Sequence, residues 1–324
     1  APLHAVCCKR LAFDVPGRGD SHCHFLLLDE ILPANLTLRL DDLGAPLIPV
    51  GIDEICQLIF DDAQNLQIAG EDFSQFGDDG IIQWLVHHLN IEHKTFIEFG
   101  VEDYSESNTR FLMMNNNWSG FVMDGDPENI KRLEAQYYYW KYDLTSKAIF
   151  INKHNINTLI AEQNFTQDVG LLHIDLDGND YYIWEAIEVV TPAIVIVEYN
   201  SLFGSERPIS IKYDDAFIRT NAHYSNLFWG SSIKSLYNLA IKKGYSFIGC
   251  NSGGNNAYFI RNDKLNDTVR PVTLKDGYVE SKYRESRDEN GRLTFLSKQQ
   301  ARELLKDLMV YNTELNKEEK FNEA

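Results

Sequence analysis

The amino-acid sequence predicts a doubly wound α/β fold, a largely parallel sheet with helices on both faces. Three observations carry this. From about residue 73, short apolar runs alternate with segments of helical spacing. The runs are apolar almost without interruption, as strands buried on both faces require. After the last helix of the series, "YSFIGC" and "NAYFIRND" flank "NSGGN", a hairpin signal that closes the parallel pattern with an antiparallel pair.

The elements follow in order. "DDGIIQWLVHHLN" (78–90) has helical spacing, and "KTFIEFG" (94–100) is the first strand. "SNTRFLMMNNN" (107–117) is a helix capped by Ser107 or Asn108, and "SGFVMDGD" (119–126) is the second strand. "PENIKRLEAQYYYW" (127–140) starts a helix with Pro at its first position and acids in its first turn, and carries "YYYW" around all its faces. "KAIFINK" (147–153) is the third strand and "NINTLIAEQ" (155–163) a short helix. "VGLLHIDLD" (169–177), "YYIWEAIEVV" (181–190) and "AIVIVEYN" (193–200) give a fourth strand, a helix and a fifth strand. A long polar loop (201–230) leads to "SIKSLYNLAIKKG" (232–244), a helix stopped by Gly244. The tail "KQQARELLKDLMVYNTELNKEEKFNEA" reads as an amphipathic helix with a frayed, charged end. The expected organisation is an N-terminal extension (1–72) of short helices and loops, a core domain (73–263), and a polar C-terminal segment with its helix (264–324).

Composition narrows the function. The 324 residues are 44% hydrophobic and 24% charged, an ordinary globular balance. The net charge of −18 repels phosphate backbones, so nucleic acid is not an expected partner. Five cysteines, an odd and irregularly spaced set, do not form a disulfide framework. Near "CHF" (Cys23, His24), no CxxC spacing supports a zinc site with Cys7 and Cys8. No apolar run reaches the length of a membrane span. The expectation is a cytoplasmic protein, with its oligomeric state open.

In open parallel sheets, ligands bind beyond the carboxyl ends of the strands. The chain puts acids there. The first strand ends "FIEFGVEDYSESNTRFL", with only Gly100 where a dinucleotide site needs several glycines, and with Glu98, Glu102 and Asp103 to repel a pyrophosphate. A cationic cofactor without phosphates, S-adenosylmethionine, fits better. Glu98 and Gly100 would line its methionine end, and Asn108 and Thr109 would hold its carboxylate at a helix start. Asp124, ending the second strand, would accept both ribose hydroxyls.

The ordered set "FSQFGDDGII", "FIEFGVEDYSESNT", "SGFVMDGD", "IDLDGNDYYIWEAI" and "GYSFIGCNSGGNNAYFIRND" resembles S-adenosylmethionine-dependent methyltransferases of the seven-stranded class, and their FkbM-like branch in particular. The resemblance covers roughly residues 73–263. It implies a Rossmann-like sheet of order 3-2-1-4-5-7-6 with the last-numbered strand antiparallel, and a cofactor contact from Gln75. "EFGVED" departs from the family's glycine-rich form.

Methyl transfer to a hydroxyl needs a base to take up the proton, or a metal that lowers the hydroxyl's pKa. Three readings of the acids on the fourth and fifth strands stay open. Asp177, Glu198 and Asn200 form an all-oxygen site for Mg²⁺ or another divalent cation, an arrangement that resembles metal-dependent sugar and catechol O-methyltransferases. Alternatively Asp177 or Asp180 is a metal-free base, or these acids are solvated and Asp180 caps the next helix. Asp175 faces the cofactor or the preceding turn, and His173, on the same strand, has a core role. His223 in the long loop is a further candidate base, and Tyr213, Tyr224, Phe228 and Trp229 there suit the face of a sugar ring. The expected activity is O-methylation of a sugar hydroxyl on a glycan or glycosylated metabolite. The alternatives are an N- or small-molecule methyltransferase, and a non-catalytic glycan- or protein-binding module on the same fold.

Overall fold

The computed structural model describes residue 74, residues 77–163, residue 165 and residues 167–322. The expected N-terminal extension (1–72) and Gln75 lie outside the described residues.

Period-2 alternation builds the centre of the molecule. Strands β1 (Thr95–Phe99), β2 (Ser119–Asp124), β3 (Leu144–Ala148), β4 (Leu171–Ile174) and β5 (Ile194–Glu198) are parallel neighbours in the order 3-2-1-4-5. Each gives alternate residues to opposite faces. Ile97, Phe121, Leu172 and Val195 join one apolar core, while Phe96, Val122, Leu171 and Ile194 join the other. Helices α1 (Asp78–His88), α2 (Arg110–Asn116), α3 (Pro127–Glu134), α4 (Ile156–Ala161) and α5 (Asp180–Ala186) alternate with these strands. The short strand β6 (Ile209–Ser210) and helix α6 (Arg219–Ala222) lie in the long loop. Helix α7 (Ile233–Lys243) starts at Ser232, whose hydroxyl accepts the Ser235 N–H, and stops at Gly244 in the left-handed conformation. The hairpin β7 (Tyr245–Cys250) and β8 (Asn256–Arg261) then inserts β8 antiparallel between β5 and β7, completing a seven-stranded sheet of order 3-2-1-4-5-8-7. This is the expected 3-2-1-4-5-7-6 arrangement, shifted in number because β6 belongs to another sheet.

That second sheet corrects the reading of the C-terminus. After α8 (Leu274–Gly277), helix α9 (Lys298–Leu305) has a full capping box, with Ser297 and Gln300 each bonding the other's backbone N–H. It ends there. Residues 309–320 form the hairpin β9 (Met309–Asn312) and β10 (Lys317–Lys320), which pairs with β6 in a three-stranded sheet. Glu319 faces Arg207 at 2.5 Å, and Val310 and Phe321 are buried beside Phe203 and Leu305. The polar tail is a strand pair because a partner about a hundred residues upstream supplies its edge.

Two smaller corrections matter for the site. The third strand begins three residues before the apolar run expected to form it, so Ile149, Phe150 and Ile151 leave the sheet and line the cavity described below. Helix α3 stops at Glu134, and "YYYW" follows it in turns, with Tyr138 buried and Trp140 exposed. Among the described residues, no helix is long and apolar enough to cross a membrane.

Candidate active site

The carboxyl ends of β1, β2, β4 and β5 open into one cavity of about 1010 Å³. Strand alternation chooses what points there. On the face that buries Phe96, Val122, Leu171 and Ile194, the positions toward the carboxyl ends are Glu98, Asp124, His173 and Glu198. All four line the cavity, with Gly100, Asn108, Asp175, Asp177 and Asn200. The sequence reading therefore brings most of its site residues together. Thr109, Asp180 and His223 are not among the lining residues.

The loop after β1 folds over the acid that precedes it. Gly100 sits at φ +71°, and a Cβ there would stand 1.6 Å from the carbonyl oxygen of Asp175. Only glycine allows the backbones after β1 and β4 to approach so closely. Glu98 is buried and accepts the Ser107 hydroxyl at 2.6 Å, the Asn108 N–H at 3.0 Å and the Thr109 hydroxyl. His173 Nδ1 lies 2.8 Å from its Oε1. Burial pushes Glu98 up, but the hydrogen bond and charge of His173, with Ser107 and Thr109, outweigh it and hold the carboxyl below its ordinary value. Thr109 also bonds Tyr104 at 2.8 Å and is fully buried, so its expected contact with a cofactor carboxylate is replaced by an internal role. Thr109 occupies the cap position of α2, while the Ser107 hydroxyl accepts the N–H groups of Thr109 and Arg110.

This loop has few N–H groups left for an anion. Glu102 donates to Asp124 at 2.8 Å, Tyr104 to the Val101 carbonyl, Ser105 to Asp103, and Asn108 to Glu98. A phosphate would meet Glu98, Glu102 and Glu106 on the cavity side of this loop, which is poor electrostatics for a dinucleotide. Asp124 is held by the N–H groups of Glu102 and Asp126 and by Asn129 at 3.0 Å. A carboxylate has about four acceptor sites; three are taken, and Asp124 faces the cavity with about one left for a hydroxyl.

Between β4 and β5 two carboxyls share a site. Burial, with Asp177 alongside, pushes Asp175 up to about 7, and a hydrogen bond from Glu198 partly offsets this. Burial and the neighbouring Asp175 raise Glu198 well above the ordinary carboxylate value. Both shifts run toward the protonated form, because each charge is desolvated and sits beside another carboxyl. Glu198 Oε2 is buried without a hydrogen-bond partner. Asn256, its cross-strand neighbour on β8, has an unpartnered buried Oδ1, and so does Asn179. These acceptors, all on residues lining the cavity, await a donor from a ligand.

The proposed metal ligands do not assemble. Asp177, at φ +53°, is half exposed and ion-paired with Arg219 at 2.5 Å. Asn200 donates to the carbonyls of Leu227 and Trp229 and accepts the Leu202 N–H. Mg²⁺ requires free oxygens, and of this trio Asp177 is bound by arginine and the Asn200 amide is occupied by backbone. Among the described residues, the grouping of three His, Cys, Asp or Glu side chains close enough for an ion is Glu92, His93 and Asp168, none of which lines the cavity.

Two expected bases are also corrected. Asp180 is not the cap of α5, a position held by Asn179. Its carboxylate accepts the N–H groups of Leu176 and Gly178 at 2.7 and 3.0 Å, fully buried, and so fixes the β4 loop from behind the cavity. Burial raises it to about 6 despite these bonds. His223 bonds the Ser225 hydroxyl at 2.7 Å and packs on Tyr224, outside the lining. Of the loop aromatics, Trp229 lines the cavity with Phe217, while Phe228 packs on Phe203. Sequence reasoning missed Arg219, whose guanidinium lies 4.4 Å over Trp229. An arginine three residues past "DDA" in an acidic chain was the available signal. It also missed Asp78, buried in the first turn of α1 and bonded by Asn251, Asn256 and Tyr258. The pattern there shows only an ordinary acidic helix start.

No protein-family model matches the chain, and no curated protein does. Among solved structures, an S-adenosylmethionine-dependent methyltransferase from Clostridium acetobutylicum aligns with 63% of this chain and 98% of its own, at 12% identity and TM-score 0.36. An O-methyltransferase from Bacillus cereus in complex with SAH aligns with 68% of this chain and 93% of its own, at 13% identity and TM-score 0.39. Likenesses this distant say nothing of what this chain binds.

Proposed function

We propose that the chain is an S-adenosylmethionine-dependent O-methyltransferase whose proton acceptor is the Asp175–Glu198 pair. The observation that carries this is the pair itself, two carboxyls with raised pKa values at adjacent strand ends, lining the same cavity as Asp124 and the Glu98 loop. S-adenosylmethionine would supply a methyl group on a sulfonium that leaves by in-line displacement. Asp124 would accept one hydroxyl of the ribose diol. Gly100 and the Glu98 loop would border the methionine end, where acidic walls favour a cation.

An acceptor hydroxyl seated at Asp175, which lines the cavity, donates its one O–H to that carboxylate. As the hydroxyl oxygen bonds to carbon, the C–S electron pair stays on sulfur and the hydroxyl proton passes to the Asp175 carboxylate. A base held at about 7 is matched to this task at neutral pH. The faces of Trp229 and Phe217, beside these polar acceptors, support a sugar as the acceptor. Incubation with methyl-labelled S-adenosylmethionine and a panel of mono- and oligosaccharides tests the proposal. It expects label on a sugar oxygen in wild type and none with Asp175→Asn; label on nitrogen, or undiminished transfer in that variant, contradicts it.

A further inference from the structure

The cavity has two electrical halves. Glu98, Glu102 and Asp124 line it at the ends of β1 and β2. Residues 280–286, an irregular segment after α8, also line it. Gly254, in the β7–β8 turn, holds this segment close: it sits at φ +74°, and a Cβ there would meet the Ser281 nitrogen at 2.5 Å. On this segment the acids are already matched. Glu280 pairs with Lys298, and Glu285 with Arg287 at 2.7 Å and with the Tyr283 hydroxyl at 3.0 Å.

Lys282 and Arg284 are left over. Both line the cavity, and among the described residues no carboxylate pairs with either. Arg284 gives one N–H to the Phe295 carbonyl at 2.8 Å, which anchors the guanidinium without neutralising it. From the β5 side, Arg219 also lines the cavity, and its Nε and Nη1 are held by the Asn226 carbonyl and Asp177. Its Nη2 has no hydrogen-bond partner among the described residues. In a chain of net charge −18, Lys282 and Arg284 are thus cavity-lining cations with no ion pair among the described residues, while Arg219 keeps one nitrogen open beside its pair with Asp177.

We propose that the acceptor carries an oxyanion, a carboxylate or a sulfate, near its reacting hydroxyl, and that Lys282, Arg284 and Arg219 Nη2 bind it. An acidic sugar such as a uronic acid has this chemistry, and a neutral sugar does not. A planar guanidinium meets carboxylate or sulfate through paired N–H donors. The wall also sets direction: a cation-bearing cofactor goes to the acidic half and an anionic acceptor to the basic half. The inference rests on the cofactor reading above.

The test is calorimetry on the full chain. The first titration, with S-adenosylhomocysteine, checks the cofactor site alone; if it gives no binding, the cofactor reading falls and this inference with it. The cofactor-saturated chain is then titrated with trigalacturonic acid, its carboxyl-reduced neutral counterpart, and that neutral counterpart carrying a single sulfate ester and no carboxylate. An anionic probe should bind about tenfold more tightly than the neutral one. Which anionic probe binds better distinguishes carboxylate from sulfate. The double variant Lys282→Gln, Arg284→Gln keeps most of the side-chain stems, and should abolish that preference while its affinity for S-adenosylhomocysteine stays that of wild type. Equal binding of charged and neutral probes, no binding of either anion, or a preference that survives in the double variant overturns the proposal.

Discussion

His173 Nδ1 and Glu98 Oε1 lie 2.8 Å apart, joining β4 to β1 at two residues that are 4% and 2% exposed. The same carboxylate gathers Ser107, Asn108 and Thr109, so this one pair fixes the loop that borders the proposed cofactor site. Removing one partner of a buried charged pair costs about 3 kcal/mol. His173→Leu is therefore expected to unfold roughly 6–12 °C below wild type, on the scaling for a domain of this size.

The pH dependence of that difference has a definite sign. Burial works to lower His173, but the bond to Glu98 leaves it raised, so its share of stability is present below about 6.5 and lost as pH rises through its higher native value. Glu98 is lowered, so its share is present above about 4.3 and lost as pH falls through its native value. Thermal melts from pH 4 to 9 should show the gap between wild type and His173→Leu widest near pH 5–6 and narrowing above. A constant gap would mean that only packing is lost.

The Asp175–Glu198 pair predicts the opposite cost. Both groups are raised, so the fold favours their protonated forms, and that stability is lost as pH rises through about 7. Glu198→Gln removes an ionising group and is expected to melt above wild type at pH 8 and close to it at pH 5. Turnover should behave inversely. In wild type, kcat rises with pH to a plateau above about 7 as Asp175 becomes a base. Asp175→Asn should lower kcat by about 10²–10⁴ with little change in affinity for S-adenosylhomocysteine.

Gly100→Ala places a methyl group 1.6 Å from the Asp175 carbonyl, at a φ that favours glycine. The backbone must shift or strain, at a cost of about 1–3 kcal/mol before the clash is counted. The variant should lose cofactor binding by calorimetry even where circular dichroism shows it folded. Retained affinity would mean that the approach of the two loops does not shape the site.

Chelation separates the two proton-removal schemes. Because Asp177 is bound by Arg219 and Asn200 is occupied by backbone, turnover is expected to be unchanged in EDTA and not increased by Mg²⁺. Loss of activity in EDTA with recovery on Mg²⁺ would contradict the carboxyl pair as the base.

What the sequence disclosed follows from which interactions are local. Strands β1, β2, β4 and β5 were legible because strands buried on both faces leave an apolar run that no solvated element produces. Strand ends in turn located Glu98, Asp124, Asp175 and Glu198 at one cavity. Strand β3 was displaced because its own residues, "LTSKA", are half polar, while the apolar run beside it lines the cavity. The β9–β10 hairpin was hidden because "KEEK" has a strand's character only once β9 is paired with β6. The roles of individual acids depended on partners far away in sequence. Asp177 became an ion-pair member through Arg219, and Glu98 a loop anchor through His173. Asp180 was closer to legible, since its two bonds are to backbone groups within four residues.

The central claim is that acids at these strand ends receive S-adenosylmethionine, and calorimetric titration of S-adenosylhomocysteine into the full chain tests it most directly. The account predicts one molar equivalent bound with micromolar affinity, weakened at least about a hundredfold in Asp124→Asn when the ribose diol loses its carboxylate. No binding at millimolar ligand, or equal affinity in wild type and a folded Asp124→Asn, would contradict it.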